Sequence, residues 1–340
     1  MAWDSGKSRK TRSEFLDSTS SFRSHSPAVL RFTAINELAR VSGPHHLALG
    51  VFDGVHLGHQ AVIRQALAAR EEDGGICGVL TFDPYPIRVL FPEKAPRRLL
   101  ASLDHKAEIL DAMGVDFLLA LPFDLKRASQ NADDFVKEIH AAGVKTIAVG
   151  EDWRFGKARA GDVSMLRRYS LEMPYQLAAL PPVMMDGERI SSTRIRQAIR
   201  DGNLDAAAKM LGRPYTVEGR VVRGRQLGRK LGFPTANVEC GDEQFPPDGV
   251  WAVKARISNV VHEGVANLGV RPTVDGEGRL LEVNLFDFDG DLYGSRLEVE
   301  FVQNLRGEKK FGSLEELKEQ IAKDVAEALY LLRGPGGSEC

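Results

Sequence analysis

Hydrophobic periodicity changes once along the 340-residue chain, and this change constrains the fold more than any other feature. From Val29 to about Gly202, short apolar runs alternate with amphipathic segments, which is typical of the strands and helices of a doubly wound parallel sheet. Beyond Tyr215, β-branched alternation with glycine-containing turns favours an antiparallel barrel. The sequence Gly212-Arg213-Pro214 separates the two patterns, so two domains are predicted.

Each pattern predicts a set of elements. The sheet is predicted to contain strands over 46–52, 76–82, 116–121, 145–149 and 176–180. Helical spacing predicts helices over 60–70, 106–113, 133–142 and 163–169, and one or two short helices over 193–211 broken at Asp201-Gly202. The barrel is predicted to contain strands over 215–222, 250–257, 260–268, 280–286 and 297–301. A closing helix is predicted to follow the N-cap Ser313, with Glu316 as its capping-box partner.

These patterns divide the chain into four parts. They are a disordered tail over 1–28, an α/β domain over 29–212, a barrel domain over 213–333 and a flexible C-terminus over 334–340. The tail is rich in serine and basic residues but has no apolar segment, which excludes a secretory signal. A transit peptide is the alternative to a disordered tail, although the acidic residues of the tail weigh against it.

Charge and cysteine content exclude several classes of function. The 45 basic and 47 acidic residues nearly cancel, so neither nucleic acid nor a membrane surface is a predicted partner. No apolar run approaches the ~18 residues that span a bilayer, so a soluble protein is predicted. Cys77, Cys240 and Cys340 lack the paired spacing of a disulfide framework or a zinc site, which favours a reducing cytoplasm. The sequence leaves the oligomeric state open.

A glycine-rich turn between a predicted strand and helix is the first candidate site. Such a turn lets backbone N–H groups and a helix N-terminus approach a phosphate. His56 and His59 follow, three residues apart, and could stabilise charge on a transferring phosphoryl group, although a pair of surface histidines is the plain alternative. The predicted phosphate-binding residues of this turn are Gly50, Phe52, Asp53, Gly54 and Gly58.

A segment that alternates hydroxyl and arginine side chains, residues 189–196, is the second candidate site. Ser191, Ser192, Thr193 and Arg196 are predicted to hold the β- and γ-phosphates of a nucleotide through charge-assisted hydrogen bonds. The plain alternative for Ser191 or Ser192 is an N-cap, the usual role of a hydroxyl at the start of a helix.

The third candidate site is a basic, glycine-punctuated loop within residues 219–237. Thr235 and Asn237 at its end carry the hard oxygen donors that Mg²⁺ accepts beside substrate phosphates, although Pro-Thr-x-Asn is a plain turn in most sequences. The residues predicted to close over phosphates are Gly224, Gly228, Gly232 and Pro234.

Glu282 lies in the middle of an apolar predicted strand, where a carboxylate is costly unless it has a partner or a task. A general base for a hydroxyl nucleophile is one interpretation. An outward-facing strand residue is the other, because alternation alone does not distinguish the two faces.

Segments from both predicted domains resemble those of the bacterial bifunctional riboflavin kinase/FMN adenylyltransferases, also called FAD synthetases. The resemblance covers about residues 30–332, and its segments are 50–59, 81–84, 149–156, 190–196, 234–237, 264–269, 271–273 and 286–294. It implies an α/β fold with an N-terminal doubly wound nucleotidyltransferase domain and a C-terminal antiparallel β-barrel kinase domain closed by a helix. It further implies riboflavin, FMN and FAD as ligands, ATP as co-substrate and Mg²⁺ as cofactor.

The resemblance also implies roles for single residues. Thr235 and Asn237 would bind the metal and the nucleotide, and Glu282 would activate the ribityl hydroxyl of riboflavin. The residues expected around the ATP phosphates are His56, His59, Ser192, Thr193 and Arg196. Those expected to contact flavin are Asp83, Asp152, Phe155 and Asn267. The chain departs from the family pattern at Tyr85, Trp153, Trp251, Val270 and Asn284.

Two other functions stay open at this point. Another nucleotidyltransferase, such as a pantetheine-phosphate or cytidylyl enzyme, would use the same His-x-Gly-His chemistry, but the predicted barrel argues against it. A flavin-binding regulator or storage protein would keep the fold without turnover. The residues that argue against this loss of activity are His56, His59, Thr235, Asn237 and Glu282.

Overall fold

The computed structural model describes residues 29–224, 228, 231–258, 260–273 and 276–334. The predicted tail over 1–28 and residues 335–340 of the predicted flexible C-terminus lie outside the described residues. Among the helices of the described ranges, none has both the length and the apolar content needed to cross a membrane.

The N-terminal part alternates strands with helices. Its strands are β1 Leu30–Phe32, β2 His45–Leu49, β3 Ile76–Asp83, β4 Phe117–Pro122, β5 Val144–Gly150, β6 Gln176–Leu180, β7 Met184–Met185 and β8 Glu188–Arg189. Its α-helices are α1 Leu57–Asp73, α2 Pro86–Leu90, α3 Leu103–Ala112, α4 Leu125–Ala128, α5 Ala132–Ala141, α6 Val163–Glu172, α7 Ser192–Arg200 and α8 Leu204–Leu211. Short 3₁₀ helices occupy Ile35–Arg40, Pro92–Lys94 and Lys157–Arg159.

The C-terminal part is built mainly of strands. They are β9 Thr216–Val222, β10 Ala236–Glu239, β11 Gly249–Ile257, β12 Val260–Thr273, β13 Gly276–Leu285 and β14 Arg296–Arg306. A long helix, α9 Leu314–Arg333, follows them.

Strands β1 to β6 form one parallel sheet in the order β1-β4-β3-β2-β5-β6. Successive side chains of a strand point to opposite faces, and here they enter two separate apolar clusters. Leu47 and Leu49 of β2 pack with residues of α5 and α6, whereas Ala48 packs with residues of α1 and α3. Helices therefore cover both faces, and the prediction of a doubly wound sheet is confirmed.

The order of the strands reverses at β2. Strands β3 and β4 extend the sheet on one side of β2, and β5 and β6 extend it on the other. In open parallel sheets, ligands bind outside the carboxyl ends of the strands at such a reversal. The turn after β2 and the turn after β5 are the two segments that meet at this position, and both were selected as motifs from the sequence.

Strands β9 to β14 close into an antiparallel barrel, because β9 pairs with both β10 and β14. The inward side chains Val217, Val253 and Leu281 are fully buried. The helix α9 packs outside the barrel, where Ala328 lies in one apolar cluster with Val250 of β11 and other residues. The predicted barrel with a closing helix is confirmed.

Helices α7 and α8 pack with the barrel. Ile195 and Ile199 of α7 and Met210 of α8 lie in the same buried cluster as barrel residues such as Trp251. The apolar face of α7, the helix that carries the predicted phosphate-binding hydroxyls, therefore packs against the C-terminal part of the chain.

Several predicted boundaries need correction. The predicted strand over 46–52 ends at Leu49, because Phe52 takes a φ of 52°, in the left-handed region where an extended strand cannot continue. Strands β1, β7, β8 and β10 were not predicted, since two to four residues are too few for a periodicity to be recognised. The predicted break at Asp201-Gly202 is confirmed, because α7 ends at Arg200 and α8 begins at Leu204.

The predicted cap of the last helix is confirmed only in part. Ser313 Oγ accepts a hydrogen bond from the backbone N–H of Glu316 at 3.1 Å. The carboxylate of Glu316, however, accepts from the N–H of Gly312 at 3.0 Å, one residue before the N-cap. The predicted hydrogen bond to the N-cap side chain is therefore present. The second bond of a capping box is made to the backbone N–H of Gly312 instead of to that of Ser313.

Candidate active sites

The glycine-rich turn after β2 takes a conformation that requires glycine at its centre. Gly54 has a φ of 80°, and a Cβ at this position would lie 2.7 Å from the side chain of Leu100. Phe52 has only 1% of its surface exposed and its ring packs against Gly50, where an added Cβ would approach it to 3.1 Å. Any contact that Phe52 makes with a ligand therefore comes from its backbone.

The two histidines of the turn stack on each other. His56 is the N-cap of α1, and its Nδ1 accepts a hydrogen bond from the backbone N–H of His59 at 3.3 Å. The ring centroids are 3.5 Å apart and the rings are 17° from parallel. Because Nδ1 of His56 is an acceptor, its proton lies on Nε2, which is free to donate.

Burial keeps both imidazoles neutral. Burial, together with the positive charge of Arg189, lowers the pKa of His56 to about 4. Burial also lowers the pKa of His59 well below its usual value, with further contributions from His56 and Lys106. At neutral pH the stacked pair is therefore uncharged, and each imidazole has one ring N–H that can donate to a developing phosphoryl charge.

A buried ion pair joins the glycine-rich turn to α7. Asp53 forms a salt bridge with Arg196, and its other carboxylate oxygen accepts from the N–H of Leu100 at 2.8 Å. Ser192 Oγ donates to the backbone carbonyl of Asp53 at 2.9 Å. The two segments selected separately from the sequence are thus in direct contact.

The hydroxyls at the start of α7 have different environments. Ser191 is the N-cap, and its Oγ accepts from the N–H of Arg194 at 3.3 Å. Thr193, by contrast, is exposed in the first turn of the helix. Ser191 therefore caps the helix, which is the plain alternative to phosphate binding, while Thr193 is accessible to a ligand.

A cavity of about 900 Å³ adjoins the residues predicted to bind phosphate. Trp153 and Phe155 stack within its wall, with ring centroids 4.6 Å apart. The exposed Asp152 forms a salt bridge with Arg189, and both also line the cavity. The volume and the aromatic wall suit a planar aromatic ligand.

The sequence prediction placed Asp83 against the flavin. In the structure Asp83 is exposed at the end of β3, and its neighbours Phe82 and Tyr85 line the cavity. Tyr85 also lies close enough to Asp53 and Arg196 for their charges to act on its pKa, which burial raises. Tyr85 therefore lies between the aromatic cavity and the predicted phosphate-binding residues Asp53 and Arg196.

The barrel brings three predicted site residues side by side. Glu282 of β13 pairs in register with Asn237 of β10 on one side and with Asn267 of β12 on the other. Directly opposed residues of antiparallel strands have neighbouring side chains on the same face. The carboxylate of Glu282 is thus flanked by two amides, and Asn237 is buried whereas Asn267 is exposed.

Two cavities meet at Thr235. One, of about 620 Å³, is lined by Thr235, Asn267, Glu282 and Asn284 together with residues near α9. The other, of about 610 Å³, is lined by Pro234 and Thr235 on one side and by residues of the 288–293 loop on the other. Thr235 is the residue that the walls of the two cavities share.

The glycines of the basic loop pack against the predicted metal ligands. A Cβ at Gly224 would lie 2.3 Å from Nδ2 of Asn237, and one at Gly228 would lie 3.0 Å from Oγ1 of Thr235. Gly232 has a φ of 89°, which favours glycine for conformational reasons. At Gly224 a side chain larger than hydrogen would push into Asn237, and at Gly228 it would first meet the backbone carbonyl oxygen of Phe233 at 2.4 Å and then Thr235.

The sequence did not reveal one pair that lines the barrel cavity. Arg306 of β14 donates to both carboxylate oxygens of Asp324 of α9, from Nε at 2.9 and 3.1 Å and from Nη2 at 2.7 Å. This bidentate pair connects the closing helix to the wall of the cavity. Neither residue belongs to a recognisable motif, and the contact depends on how α9 packs.

Comparisons with known proteins agree with both halves of this arrangement. A family model described as FAD synthetase matches residues 39–194, and one described as riboflavin kinase matches residues 211–332. These matches define a class of transferase with two nucleotide-using domains that act on flavins.

A bifunctional riboflavin kinase/FMN adenylyltransferase of Haemophilus influenzae is 41% identical over 285 residues, covering 83% of this chain and 92% of the relative. The protein of the same name from Pseudomonas fluorescens is 43% identical over 286 residues, covering 83% and 91%. The chain therefore belongs to the bifunctional riboflavin kinase/FMN adenylyltransferase family, as the resemblance of its motifs predicted.

A solved structure from Streptococcus pneumoniae, described as a macrolide-efflux protein, superimposes with a TM-score of 0.73 at 33% identity. The match covers 87% of this chain and 97% of the other. Its overall architecture is thus similar along nearly the whole length of both chains.

Proposed function

We propose that this protein makes FAD from riboflavin in two ATP-dependent steps, each at its own site. Riboflavin is phosphorylated to FMN in the barrel, and AMP is then transferred from ATP to FMN at the parallel sheet, releasing pyrophosphate. The observation that carries the proposal is the placement of Glu282 between Asn237 and Asn267, at a cavity that meets a second cavity beside Thr235.

In the first step Glu282 accepts the proton of the riboflavin 5′-hydroxyl as that oxygen attacks the γ-phosphorus of ATP. The bond from this phosphorus to the β,γ-bridging oxygen breaks, and ADP leaves. The flavin occupies the cavity that contains Glu282 and Asn267, and the nucleotide occupies the cavity beside Pro234. The transferred group then passes beside Thr235, which lines both cavities.

The donors at this position fit Mg²⁺. Thr235 and Asn237 provide a hydroxyl and an amide oxygen, hard ligands that Mg²⁺ accepts together with phosphate oxygens and waters. Within the described ranges no group of three or more His, Cys, Asp or Glu side chains could hold a metal. The ion, when bound, would neutralise charge on the transferring phosphate.

In the second step the phosphate of FMN is already an anionic nucleophile, so its attack on the α-phosphorus of ATP needs no general base. His56 and His59 donate hydrogen bonds to the charge that develops there. Thr193, Arg196 and the N-terminus of α7 bind the departing pyrophosphate. The flavin ring occupies the cavity walled by Trp153 and Phe155.

We assign the adenylyltransferase domain to residues 29–212 and the kinase domain to residues 213–333. The family matches at 39–194 and 211–332 support a boundary near these positions. We place the enzyme in the cytoplasm, because the two described cysteines, Cys77 and Cys240, are free thiols and buried. Its ligands are riboflavin, FMN, FAD and ATP, and neither nucleic acid nor a membrane is a partner.

The proposal is tested by incubating the protein with riboflavin, ATP and Mg²⁺ and separating the flavins by chromatography. FMN should appear first and FAD later, and EDTA should stop both reactions. Supplying FMN instead of riboflavin should give FAD directly. A folded protein that forms neither FMN nor FAD would contradict the catalytic function and would favour a flavin-binding protein without turnover.

A further inference from the structure

Lys106 of α3 is a buried cation that the mechanism above does not use. Only 7% of its surface is exposed, and its Nζ donates a hydrogen bond to the backbone carbonyl of Val51 at 2.8 Å. An ammonium group has three N–H donors, and in the part of the chain that the structure describes this is the one hydrogen bond that Nζ makes. A buried charge with so few partners is costly unless it has a task.

The charges around Lys106 belong to the adenylyl-transfer site. Burial lowers the pKa of Lys106, while the carboxylates of Asp53 and Asp83 act in the opposite direction. Its positive charge in turn contributes to the low pKa of His59. Asp53 therefore experiences two cations, Arg196 in direct contact and Lys106 nearby.

The carbonyl that Lys106 binds begins the glycine-rich turn. Val51 precedes Phe52, whose φ of 52° turns the chain away from β2, and Asp53 follows. The same carbonyl accepts a second hydrogen bond, from Thr81 Oγ1 at 2.9 Å. Lys106 of α3 and Thr81 of β3 thus donate hydrogen bonds to the same carbonyl oxygen, that of Val51. Only Lys106 adds a positive charge at this position.

We propose that Lys106 is a positioning residue for adenylyl transfer. Its ammonium, held at Val51, provides the positive charge that keeps Asp53 and Arg196 in the arrangement that receives the triphosphate of ATP. The inference rests on the proposed function of this site. The inference assigns this role to Lys106 and not to Thr81, because Thr81 donates to the same carbonyl oxygen but carries no charge.

The test compares three variants. Lys106→Met removes the charge at similar length, Lys106→Arg keeps it, and Thr81→Val removes the neutral donor to the same carbonyl. The measurements are kcat and KM for FAD formation from FMN and ATP, with riboflavin phosphorylation by the same sample as the internal control. Circular dichroism establishes that each variant is folded.

We expect Lys106→Met to lower kcat for FAD formation by about 10- to 100-fold, the scale of a slightly misplaced reacting group. Its KM for FMN should change by less than about threefold, because the aromatic cavity is not altered. Lys106→Arg should recover most of the lost kcat, and Thr81→Val should stay within about threefold of the parent. Riboflavin phosphorylation should be unchanged in all three variants.

Full activity of Lys106→Met would overturn the inference, and so would an equal loss in Thr81→Val, since anchoring of the carbonyl would then be sufficient. If Lys106→Met does not fold, Lys106→Gln replaces it, and Gln and Arg variants of equal activity would likewise overturn the inference. A parent protein that makes FMN but no FAD would refute the proposed function itself. A parent that makes FAD beside a fully active Lys106→Met would refute only the role of Lys106.

Discussion

Glu282 is flanked across the barrel strands by the amides of Asn237 and Asn267. Replacing it by glutamine keeps the size of the side chain but removes the proton acceptor. We expect Glu282→Gln to lower FMN formation from riboflavin by about 10²- to 10⁴-fold, the range typical of a lost general base. FAD formation from supplied FMN should be retained, because that reaction uses residues of the other site. Chromatography of the flavins measures both rates.

His59 provides the reciprocal experiment. Its ring stacks on His56, and in the proposed mechanism its loss removes one donor to the transferring group. We expect His59→Ala to lower FAD formation by about 10²- to 10³-fold while riboflavin is still phosphorylated, so that FMN accumulates. Each variant serves as the control for the other. If both substitutions block the same step, the protein has a single shared site and the assignment of two sites is wrong.

The protonation states of these histidines could not be inferred from the motif. The sequence placed two imidazoles three residues apart on one turn, which predicted a pair of donors. Their depressed pKa values arise from burial and from the charges of Arg189 and Lys106, which come from distant parts of the chain. The residue types were therefore recognisable, whereas their charge depends on packing.

At the scale of elements, α7 connects the two parts of the molecule. Its N-terminus carries Ser192 and Thr193 next to the glycine-rich turn. Its apolar residues Ile195 and Ile199 lie in the buried cluster that contains the apolar residues of the barrel. A chain that ends at 212 lacks the barrel residues of this cluster. We therefore expect such a fragment to be less stable than the same segment in the whole protein.

The packing of α7 can be tested with a single substitution. Ile199 is fully buried, so Ile199→Ala should reduce the free energy of unfolding by about 2 to 5 kcal/mol. Leu171→Ala is the matched control, because Leu171 of α6 is 86% exposed and its truncation should change stability by less than about 0.5 kcal/mol. Urea unfolding measures both variants. Equal stabilities would show that α7 does not pack against the barrel cluster.

Elements long enough to show a period were predicted from the sequence, and short ones were not. Each of the helices α1, α3, α5 and α6 overlaps a predicted helix, because burial of one helix face imposes a spacing over several turns. The strand β10 has four residues and follows Pro-Thr, a combination typical of turns. Its identity as a strand comes from pairing with β9 and β13.

At the scale of the whole molecule, a buried acid–base cluster joins the α/β part to the barrel part. His105 of α3 is 2% exposed, and its Nδ1 lies 3.1 Å from Oε1 of Glu243, which is fully buried between β10 and β11. Nε2 of His105 lies 3.1 Å from Oγ1 of Thr216. Glu243 also accepts from the N–H of Ser102 at 2.7 Å and from that of Glu218 at 3.0 Å.

This cluster predicts how stability depends on pH. Burial opposes protonation of His105, but the hydrogen bond to Glu243 and the carboxylate of Glu298, 3.8 Å from Nε2, outweigh it and raise the pKa of His105 to about 9, from 6.5. Because the pKa in the folded state is the higher one, protonated His105 stabilises the fold fully below about pH 6.5, and this contribution is lost as the pH rises through about 9. The raised pKa corresponds to about 3 kcal/mol.

Thermal unfolding of the parent and of His105→Gln between pH 6 and pH 10 measures the effect. At pH 6 the Tm of the parent should exceed that of His105→Gln by several degrees. This difference between the two proteins should shrink as the pH rises through about 9. A difference that does not depend on pH would mean that His105 stabilises the interface as a neutral residue.

The sequence by itself determined the class of each half of the chain and most of its elements, and it supplied the residue types that we propose to carry the chemistry. These properties are local, because periodic burial and turn chemistry act over a few residues to a few turns. Only the tertiary structure decided which of these residues meet. Asp53 and Arg196 are 143 positions apart, His105 and Glu243 are 138 apart, and the amides beside Glu282 depend on the register of β10 and β12. Such contacts follow from strand pairing and from the packing of apolar faces, and these arise between distant segments only when the whole chain folds.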